Sequence, residues 1–298
     1  MSKLLVIGGA GELGRSTVLA AAREWSGGRE GLWATYHSTL PDEEPLNAAQ
    51  WIQLDCSDHE AIRETILKIN PNGVIYCAVP KHGGASGKGG DKVLSGIVDD
   101  VVAAAEASVI LGARFIAIST DQVFDGKLSE GQCYKETDEI SPTNPYASYK
   151  TVMEKRLLTL AGPIVICRTS LILTMHPMGK GIEFVVKCLR GEMGEIVLFT
   201  DELRNMTFSD DLGSGLVELA ESTCEFRGVV HLVSDEITNR YELSKMLCKV
   251  LGIEMNFVKS GLSTESGMNR PANLSLDTTL IKSVLKRTKL RGVSERYG

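Results

Sequence analysis

What the sequence lacks narrows its class before any motif is considered. No apolar run approaches the roughly 18 to 20 residues that a membrane-spanning helix needs. The seven cysteines form no C-x-x-C pair and the five histidines show no metal-binding spacing, so we expect reduced thiols and no metal site. Basic residues do not outnumber acidic ones, and a formal net charge of −6 argues against a nucleic-acid partner.

These absences favour a globular, cytoplasmic protein whose partner is a small molecule. The first predicted strand starts at Leu4, which leaves no room within these residues for a signal or transit peptide. A hydrophobic content of 43% is ordinary for a globular chain, and 298 residues exceed the usual size of a single core. We therefore expect one large domain and one smaller domain.

The chain begins with the frame of a phosphate-binding turn. An apolar strand ends at Ile7, a turn with four glycines follows, and an Ala- and Leu-rich helix is predicted over 15–25. Glycines let the backbone approach a pyrophosphate closely, and the free N–H groups of a helix N-terminus favour its charge. An ordinary tight turn is the alternative. The candidate cofactor-binding residues here are Gly8, Gly11, Glu12, Leu13 and Gly14.

The next strands indicate which dinucleotide binds. An NAD enzyme usually carries an Asp or Glu about 20 residues after the glycines. The strand 32–36 instead runs into His37 and Ser38, so we expect NADP(H) to be preferred over NAD(H). Asp55 follows a third strand and could bind the adenine amino group or only cap a helix. Cys77 ends a fourth predicted strand, Ala78 follows it, and the two complete the predicted cofactor contacts.

A second motif carries proton chemistry. Asn144 is a plausible cap and Pro145 fits the first position of a helix predicted to run to residue 161. Tyr146 and Lys150 then lie one turn apart on one face. A phenol has a pKa of about 10, and a nearby ammonium is expected to lower it. A surface tyrosine beside a surface lysine is the alternative interpretation.

A buried strand over 114–119 supplies the context for this pair. Ser119 and Thr120 stand at its carboxyl end, where ligands bind in an open parallel sheet. A hydroxyl there could hold a carbonyl oxygen while Tyr146 gives it a proton. The alternative is a pair of capping hydroxyls at the junction between strand and loop.

The alternation of buried strands and amphipathic helices predicts an α/β protein, with a doubly wound parallel sheet of the Rossmann type and a smaller α/β C-terminal substrate lobe. We assign residues 1–170 to the dinucleotide-binding domain. The predicted strands are 3–8, 32–36, 51–54, 73–77, 114–119 and 163–167. The Gly-rich segment 81–90 follows the fourth strand, and we predict that it forms a lid over the ligand.

Taken together, these motifs resemble the extended short-chain dehydrogenase/reductases, and within them the dTDP-4-dehydrorhamnose reductase group. The resemblance spans nearly the whole chain. It is carried by GGAGELG at 8–14, ISTDQVFDG at 118–126, PTNPYASYK at 142–150, RTS at 168–170, and RPAN at 270–273 with Leu276 and Asp277.

The resemblance implies roles for residues and segments. Thr120, Tyr146 and Lys150 would form the catalytic triad, and Lys150 would also hold the nicotinamide ribose. Parts of 207–233 would return to the nucleotide domain, and 171–206 with 234–298 would form the substrate lobe. A nucleotide-sugar substrate and a homodimer are common in this group. The implied substrate-binding residues are Asp121, Gln122, Arg204 and Thr207.

Three departures from the group concern the substrate and the proton relay. Gln122 stands where the reductases have a tyrosine, Ile97 stands where the superfamily usually has an asparagine, and aliphatic residues occupy 171–173 in place of aromatics. The first hypothesis is an NADPH-dependent reductase of a carbonyl on a deoxysugar nucleotide or a similar small polar molecule. An epimerase or dehydratase of the same family is a second hypothesis. The third is an NADP-binding regulatory subunit without turnover.

Overall fold

The computed structural model describes residues 1–41, 43–80, 90–267 and 271–297. Strands and helices alternate along most of these residues. The strands are β1 (Leu4–Ile7), β2 (Leu32–Tyr36), β3 (Gln50–Gln53), β4 (Gly73–Tyr76), β5 (Arg114–Thr120), β6 (Ile164–Thr169), β7 (Ile172–Leu173), β8 (Ile196–Phe199), β9 (Thr207–Phe208), β10 (Gly228–His231) and β11 (Val258–Gly261). The helices are α1 (Glu12–Glu24), α2 (Glu43–Leu46), α3 (His59–Ile69), α4 (Asp91–Ile110), α5 (Pro145–Leu158), α6 (Lys180–Leu189), α7 (Ser209–Ala220), α8 (Arg240–Leu251), α9 (Thr279–Val284) and α10 (Val293–Tyr297).

Seven of these strands form one parallel sheet in the order β10-β6-β5-β4-β1-β2-β3. The strand order reverses beside β1, because the chain first moves outward through β2 and β3 and then returns to β4 on the other side. In an open parallel sheet, ligands bind outside the carboxyl ends of the strands at this reversal. The fold class predicted from the sequence is confirmed.

Helices cover both faces of the sheet, and each face has its own apolar core. On one face α1 and α7 pack so closely that a Cβ atom on Gly213 would lie 2.7 Å from the carbonyl oxygen of Ser16. On the other face α3, α4 and α5 bury a second cluster that includes Ile62, Phe115 and Met153. Burial on both faces explains why the sheet strands are short apolar runs rather than alternating ones.

A second region of the chain builds its own core. The pairs β7–β9 and β8–β11 lie outside the main sheet and are covered by α6, α8 and α10. The strand β10, by contrast, pairs with β6 in the main sheet. The division into a nucleotide domain and a substrate lobe is a prediction that these contacts do not test.

The six strands predicted from the sequence are all found, with ends shifted by at most two residues. The first helix begins at Glu12 rather than Arg15, because Gly11 is already its N-cap and Gly14 lies in its first turn. The lid predicted for 81–90 falls almost entirely outside the described residues. Within the described ranges, no helix is both long enough and apolar enough to traverse a bilayer.

Candidate active site

A cavity of about 1020 Å³ opens at the carboxyl ends of β1, β2, β4 and β5. It collects most of the site residues predicted from the sequence. Those lining it are Gly8, Gly11, Glu12, Leu13, His37, Ser38, Cys77, Ala78, Thr120, Asp121, Gln122, Tyr146, Lys150 and Arg204. Gly14, Asp55 and Thr207 are not part of its lining as the described residues outline it.

The glycine turn leaves the N-terminus of α1 uncovered. Gly8 has a φ of 77°, and a Cβ atom there would lie 2.6 Å from the backbone nitrogen of Ala78. A side chain on Gly14 would collide with the carbonyl oxygen of Gly8, so this position requires glycine. The N-cap Gly11 has no side chain that could accept a hydrogen bond from the first turn. The N–H groups there are thus available to an anion.

Glu12 links this turn to the second region. Its carboxylate accepts a hydrogen bond from Thr174 Oγ1 at 3.0 Å and one from the backbone N–H of Lys180, the first residue of α6, at 3.4 Å. An acidic side chain at a helix N-terminus is favoured by the helix dipole. The sequence identifies Glu12 as part of the turn but does not reveal this long-range contact.

The end of β2 carries the residues predicted to select the dinucleotide. His37 is exposed and its Nε2 lies 3.8 Å from Asp55 Oδ2. Asp55 Oδ1 accepts hydrogen bonds from the backbone and the hydroxyl of Ser57 at 2.9 and 2.8 Å, which hold the pKa of Asp55 below its usual value. The described contacts of Asp55 therefore organise the loop before α3, where Asp58 is the N-cap.

Tyr146 and Lys150 lie on α5, whose N-cap Asn144 accepts a hydrogen bond from the backbone of Ala147. Lys150 Nζ lies 6.0 Å from the centroid of the Tyr146 ring and donates to the carbonyl of Ile118 at 2.7 Å. Burial lowers the pKa of Lys150 to about 8. The lysine is thus held beneath the tyrosine by the backbone of β5.

The pKa of Tyr146 moves in the direction opposite to that expected from the sequence. Burial raises it, the charge of Asp121 raises it further, and a hydrogen bond with Thr120 lowers it. The lowering expected from the sequence is wrong for the described residues, because desolvation of the phenolate has the largest effect on this pKa. Tyr146 is therefore a protonated phenol in this state, suited to donate rather than to accept a proton.

Thr120 and Asp121 form a hydrogen-bond network beside Tyr146. Thr120 Oγ1 accepts from the backbone N–H of Gln122 and donates to Asp121 Oδ1, both at 3.2 Å. Asp121 Oδ2 accepts from Ser170 Oγ at 2.6 Å and lies 3.6 Å from Arg204 Nε. Burial raises the pKa of Asp121. The network fixes the Thr120 hydroxyl at the cavity wall.

Arg204 is tied to main-chain oxygens. Its Nη1 donates to the carbonyls of Leu203 and Ala272 at 2.7 and 3.0 Å, and its Nη2 donates to that of Pro271 at 3.1 Å. The pairing with a diphosphate suggested by the sequence stays a prediction. Thr207 is buried and accepts a hydrogen bond from the backbone of Ser234 at 2.8 Å, so it supports the loop behind the cavity.

A buried ion pair lies under the catalytic candidates and was missed in the sequence. Glu154 and Arg168 are 1% and 2% exposed, and Arg168 Nη2 lies 2.8 Å from Glu154 Oε2. Ser119 donates its hydroxyl proton to the same carboxylate. The pair joins α5 to β5 and β6. The helical spacing could have indicated Glu154, since it stands four residues after Lys150 on one face of α5.

Two further expectations concern the asparagine that Ile97 replaces and a metal site. Ile97 is 2% exposed and packs in the core, so the side chain at this position offers no hydrogen-bonding group. Within the ranges that the structure describes, no group of three or more His, Cys, Asp and Glu side chains is arranged to hold a metal ion.

Comparison with known proteins gives the family. Residues 2–292 match the model of the RmlD substrate binding domain family. The chain is 28% identical to a dTDP-4-dehydrorhamnose reductase of Aggregatibacter actinomycetemcomitans, covering 95% of this chain and 92% of that protein. It is 27% identical to the enzyme of that name from Mycobacterium tuberculosis strain CDC 1551 / Oshkosh, over 91% and 82% of the two chains.

A solved structure shares the fold. The dTDP-4-dehydrorhamnose reductase of Bacillus anthracis strain Ames, determined in complex with NADP, superposes with a TM-score of 0.74 at 22% identity, covering 100% of this chain and 99% of that one. The resemblance stated from the motifs is confirmed by the family model, which spans nearly the whole chain. The chain therefore belongs to the RmlD substrate binding domain family.

Proposed function

We propose that the protein is an NADPH-dependent reductase of a carbonyl on a deoxysugar nucleotide. One observation carries the proposal. The uncovered glycine turn and the group formed by Thr120, Tyr146 and Lys150 open into the same cavity. A dinucleotide laid across the carboxyl ends of the strands reaches both. The relatives named as dTDP-4-dehydrorhamnose reductases support the nucleotide-sugar substrate.

The residues of the turn fit a dinucleotide. The free N–H groups at the start of α1 would hold the pyrophosphate, since the N-cap Gly11 leaves them uncovered. His37 and Ser38 line the cavity at the end of β2 and would face the adenosine ribose, where neither residue repels a 2′-phosphate. The NADP bound to the B. anthracis reductase supports NADP(H) over NAD(H).

Tyr146, Thr120 and Lys150 have separate roles in the reduction. The chemistry that a bound reduced nicotinamide would supply is a hydride for the carbonyl carbon. Tyr146 donates its phenolic proton to the carbonyl oxygen, and Thr120 holds that oxygen once its hydroxyl proton turns from Asp121 to the substrate. Lys150 stabilises the phenolate that is left and would bind the ribose hydroxyls. The carbonyl becomes an alcohol, with the hydride on carbon and the proton on oxygen.

The surroundings of Tyr146 suit a proton donor. A raised pKa keeps the phenol protonated across the neutral range. Proton donation then produces an anion in a buried place, where the Lys150 ammonium is the nearby positive charge. The interaction is stronger when the phenol is ionised than when it is neutral, so it lowers the barrier rather than only binding the substrate.

The remaining expectations extend this proposal. Residues 1–170, together with parts of 207–233, form the dinucleotide-binding domain. Residues 171–206 and 234–298 form the substrate lobe, with Arg204 on its inner surface. Substrate binding engages Asp121, Gln122 and Arg204 at the cavity wall. We further propose a homodimer that has no nucleic-acid partner.

The test is NADPH oxidation by the purified protein with dTDP-4-dehydrorhamnose and a panel of other 4-keto deoxysugar nucleotides, each compared with NADH. We expect oxidation with at least one sugar, one alcohol formed per NADPH consumed, and a preference for NADPH. Tight NADPH binding without turnover of any sugar would favour the regulatory-subunit hypothesis. Sugar conversion with no net NADPH consumption would favour an epimerase or dehydratase.

A further inference from the structure

The orientation of the Gln122 side-chain amide is fixed by a chain of hydrogen bonds that begins at the backbone of α5. Asn144 must turn its side-chain oxygen toward the N–H of Ala147, which it accepts at 3.0 Å, because an N–H group can only donate. The amide nitrogen of Asn144 then faces the other way. It donates to Gln122 Oε1 at 2.9 Å.

This arrangement leaves Gln122 with only its nitrogen free. A flipped Gln122 amide would bring two donors against each other, so the hydrogen bonds select one orientation. Among the described residues, none accepts a hydrogen bond from Gln122 Nε2, and Gln122 lines the cavity one residue from Asp121 and two from Thr120. The amide therefore presents two N–H donors, and no acceptor, beside the place proposed for the carbonyl.

The neighbouring carboxylate already has hydrogen-bond and ion-pair partners. Asp121 has its oxygens engaged by Thr120, Ser170 and Arg204. A ligand ammonium beside Gln122 would meet two N–H donors of like polarity. A ligand oxygen at the same place would accept from Gln122 Nε2.

We propose that Gln122, oriented by Asn144, is a specificity-determining residue that selects a nucleotide sugar bearing an oxygen, and rejects one bearing an amino group, on the carbon next to the reacting carbonyl. The inference rests on the proposed function for the position of the sugar. It goes beyond that function by naming the substituent that the site distinguishes. Asn144 acts as a positioning residue, since it works through Gln122.

The test uses two dTDP-sugars matched except for a hydroxyl or an amino group at that carbon. Both their dissociation constants, by calorimetry on NADPH-loaded protein, and their kcat/KM values are measured. We expect the wild type to prefer the hydroxyl sugar at least about tenfold, as for a buried polar group left without a partner. Gln122→Met should bring the ratio of the two sugars close to one.

Asn144→Asp is the more selective test, because it keeps the helix cap and should reverse the orientation of the Gln122 side-chain amide. One aspartate oxygen still accepts from Ala147, while the other needs a donor and would turn Gln122 so that Oε1 faces the cavity. The preference should then shift toward the amino sugar at least about tenfold, as in Gln122→Glu. Asn144→Ser keeps a cap without the amide and should leave an intermediate ratio.

A double variant separates the effect of the Gln122 orientation from the effect of the negative charge that Asn144→Asp adds. In a Gln122→Met background, Asn144→Asp should change the ratio less than about twofold, because residues that act through one contact are not additive. A shift that persists in that background, or a wild type that treats both sugars alike, overturns the inference. Selective binding without NADPH oxidation would support the inference while refuting the proposed reductase. Failure of both sugars to bind overturns the inference.

Discussion

The two halves of the cavity differ in the groups that line them, which are backbone groups in one half and polar side chains in the other. The glycine-turn half, made of Gly8, residues 10–13 and the ends of β2 and β4, contains a helix N-terminus without a side-chain cap. The side-chain half, made of residues 119–122, the start of α5 and Arg204, is a network of mutually bonded polar groups. Backbone geometry suits a ligand part shared by many enzymes, whereas side chains can be exchanged to suit one substrate.

The largest expected effect on stability lies under the side-chain half. Glu154→Ala leaves Arg168 charged, 2% exposed and without its carboxylate partner. We expect the free energy of unfolding to fall by about 3–5 kcal/mol, measured by urea denaturation. Glu195→Ala is the matched control, because Glu195 pairs with Lys259 at the surface and both side chains are more than half exposed. Equal losses in the two variants would contradict the account.

A smaller effect is expected in the glycine-turn half. Gly14→Ala forces a methyl group against the carbonyl oxygen of Gly8. We expect a loss of about 1–3 kcal/mol in the free energy of unfolding and weaker NADPH binding, measured by fluorescence titration. Gly90→Ala is the control for stability, because a Cβ atom there meets no atom of the described residues within 4 Å. Unchanged NADPH affinity in Gly14→Ala would break the link between this turn and the cofactor.

The pH dependence of activity tests the side-chain half, because Lys150 lies in that half and changes its charge near pH 8. Burial lowers the pKa of Lys150 to about 8 from an unfolded value of 10.5. The ammonium is lost as the pH rises through 8, so kcat/KM should fall about tenfold for each further pH unit. Between pH 8 and 10.5 the unfolded chain binds more protons at this lysine, so its contribution to the free energy of unfolding rises with pH.

These opposite trends separate loss of catalysis from unfolding. Activity and stability are measured on the same samples across that range of pH. Activity that stays constant to about pH 9.5 would contradict a role for the charged lysine. Activity that falls only together with the unfolding transition would contradict it as well.

The smallest expected effect on stability is at the helix cap in the side-chain half. Asn144→Ala removes the N-cap of the helix that carries Tyr146 and Lys150. We expect a loss of about 1 kcal/mol in the free energy of unfolding, measured by thermal denaturation. Asn144→Ser should recover most of it, because a serine hydroxyl can accept from the same N–H. A serine variant as unstable as the alanine one would show that the cap is not the cause.

The same contrast explains how much could be predicted from the sequence. The glycine turn and the Tyr146–Lys150 pair were found because each depends on spacing within one strand–helix junction or one helix turn. The strands were found because burial on both faces gives continuous apolar runs. These features are local, and the cavity collected nearly all of the residues that they predicted.

The rest could not be predicted because it depends on residues brought together by the fold. Glu12 meets Thr174 across 162 positions, and Arg204 is bound by carbonyls of 271 and 272. The rise in the pKa of Tyr146 comes from burial, which no spacing reveals. Sequence spacing predicted which groups meet, but not which of the opposing effects on the phenol is larger.

The central claim is that Tyr146 donates a proton to a substrate carbonyl during reduction by NADPH. The most direct test compares Tyr146→Phe with Tyr149→Phe, which removes a hydroxyl from the same helix, outside the lining of the cavity. We predict that Tyr146→Phe binds NADPH normally and loses at least about a hundredfold in kcat, while Tyr149→Phe stays close to wild type. A Tyr146→Phe protein that reduces its sugar at the wild-type rate would contradict the account.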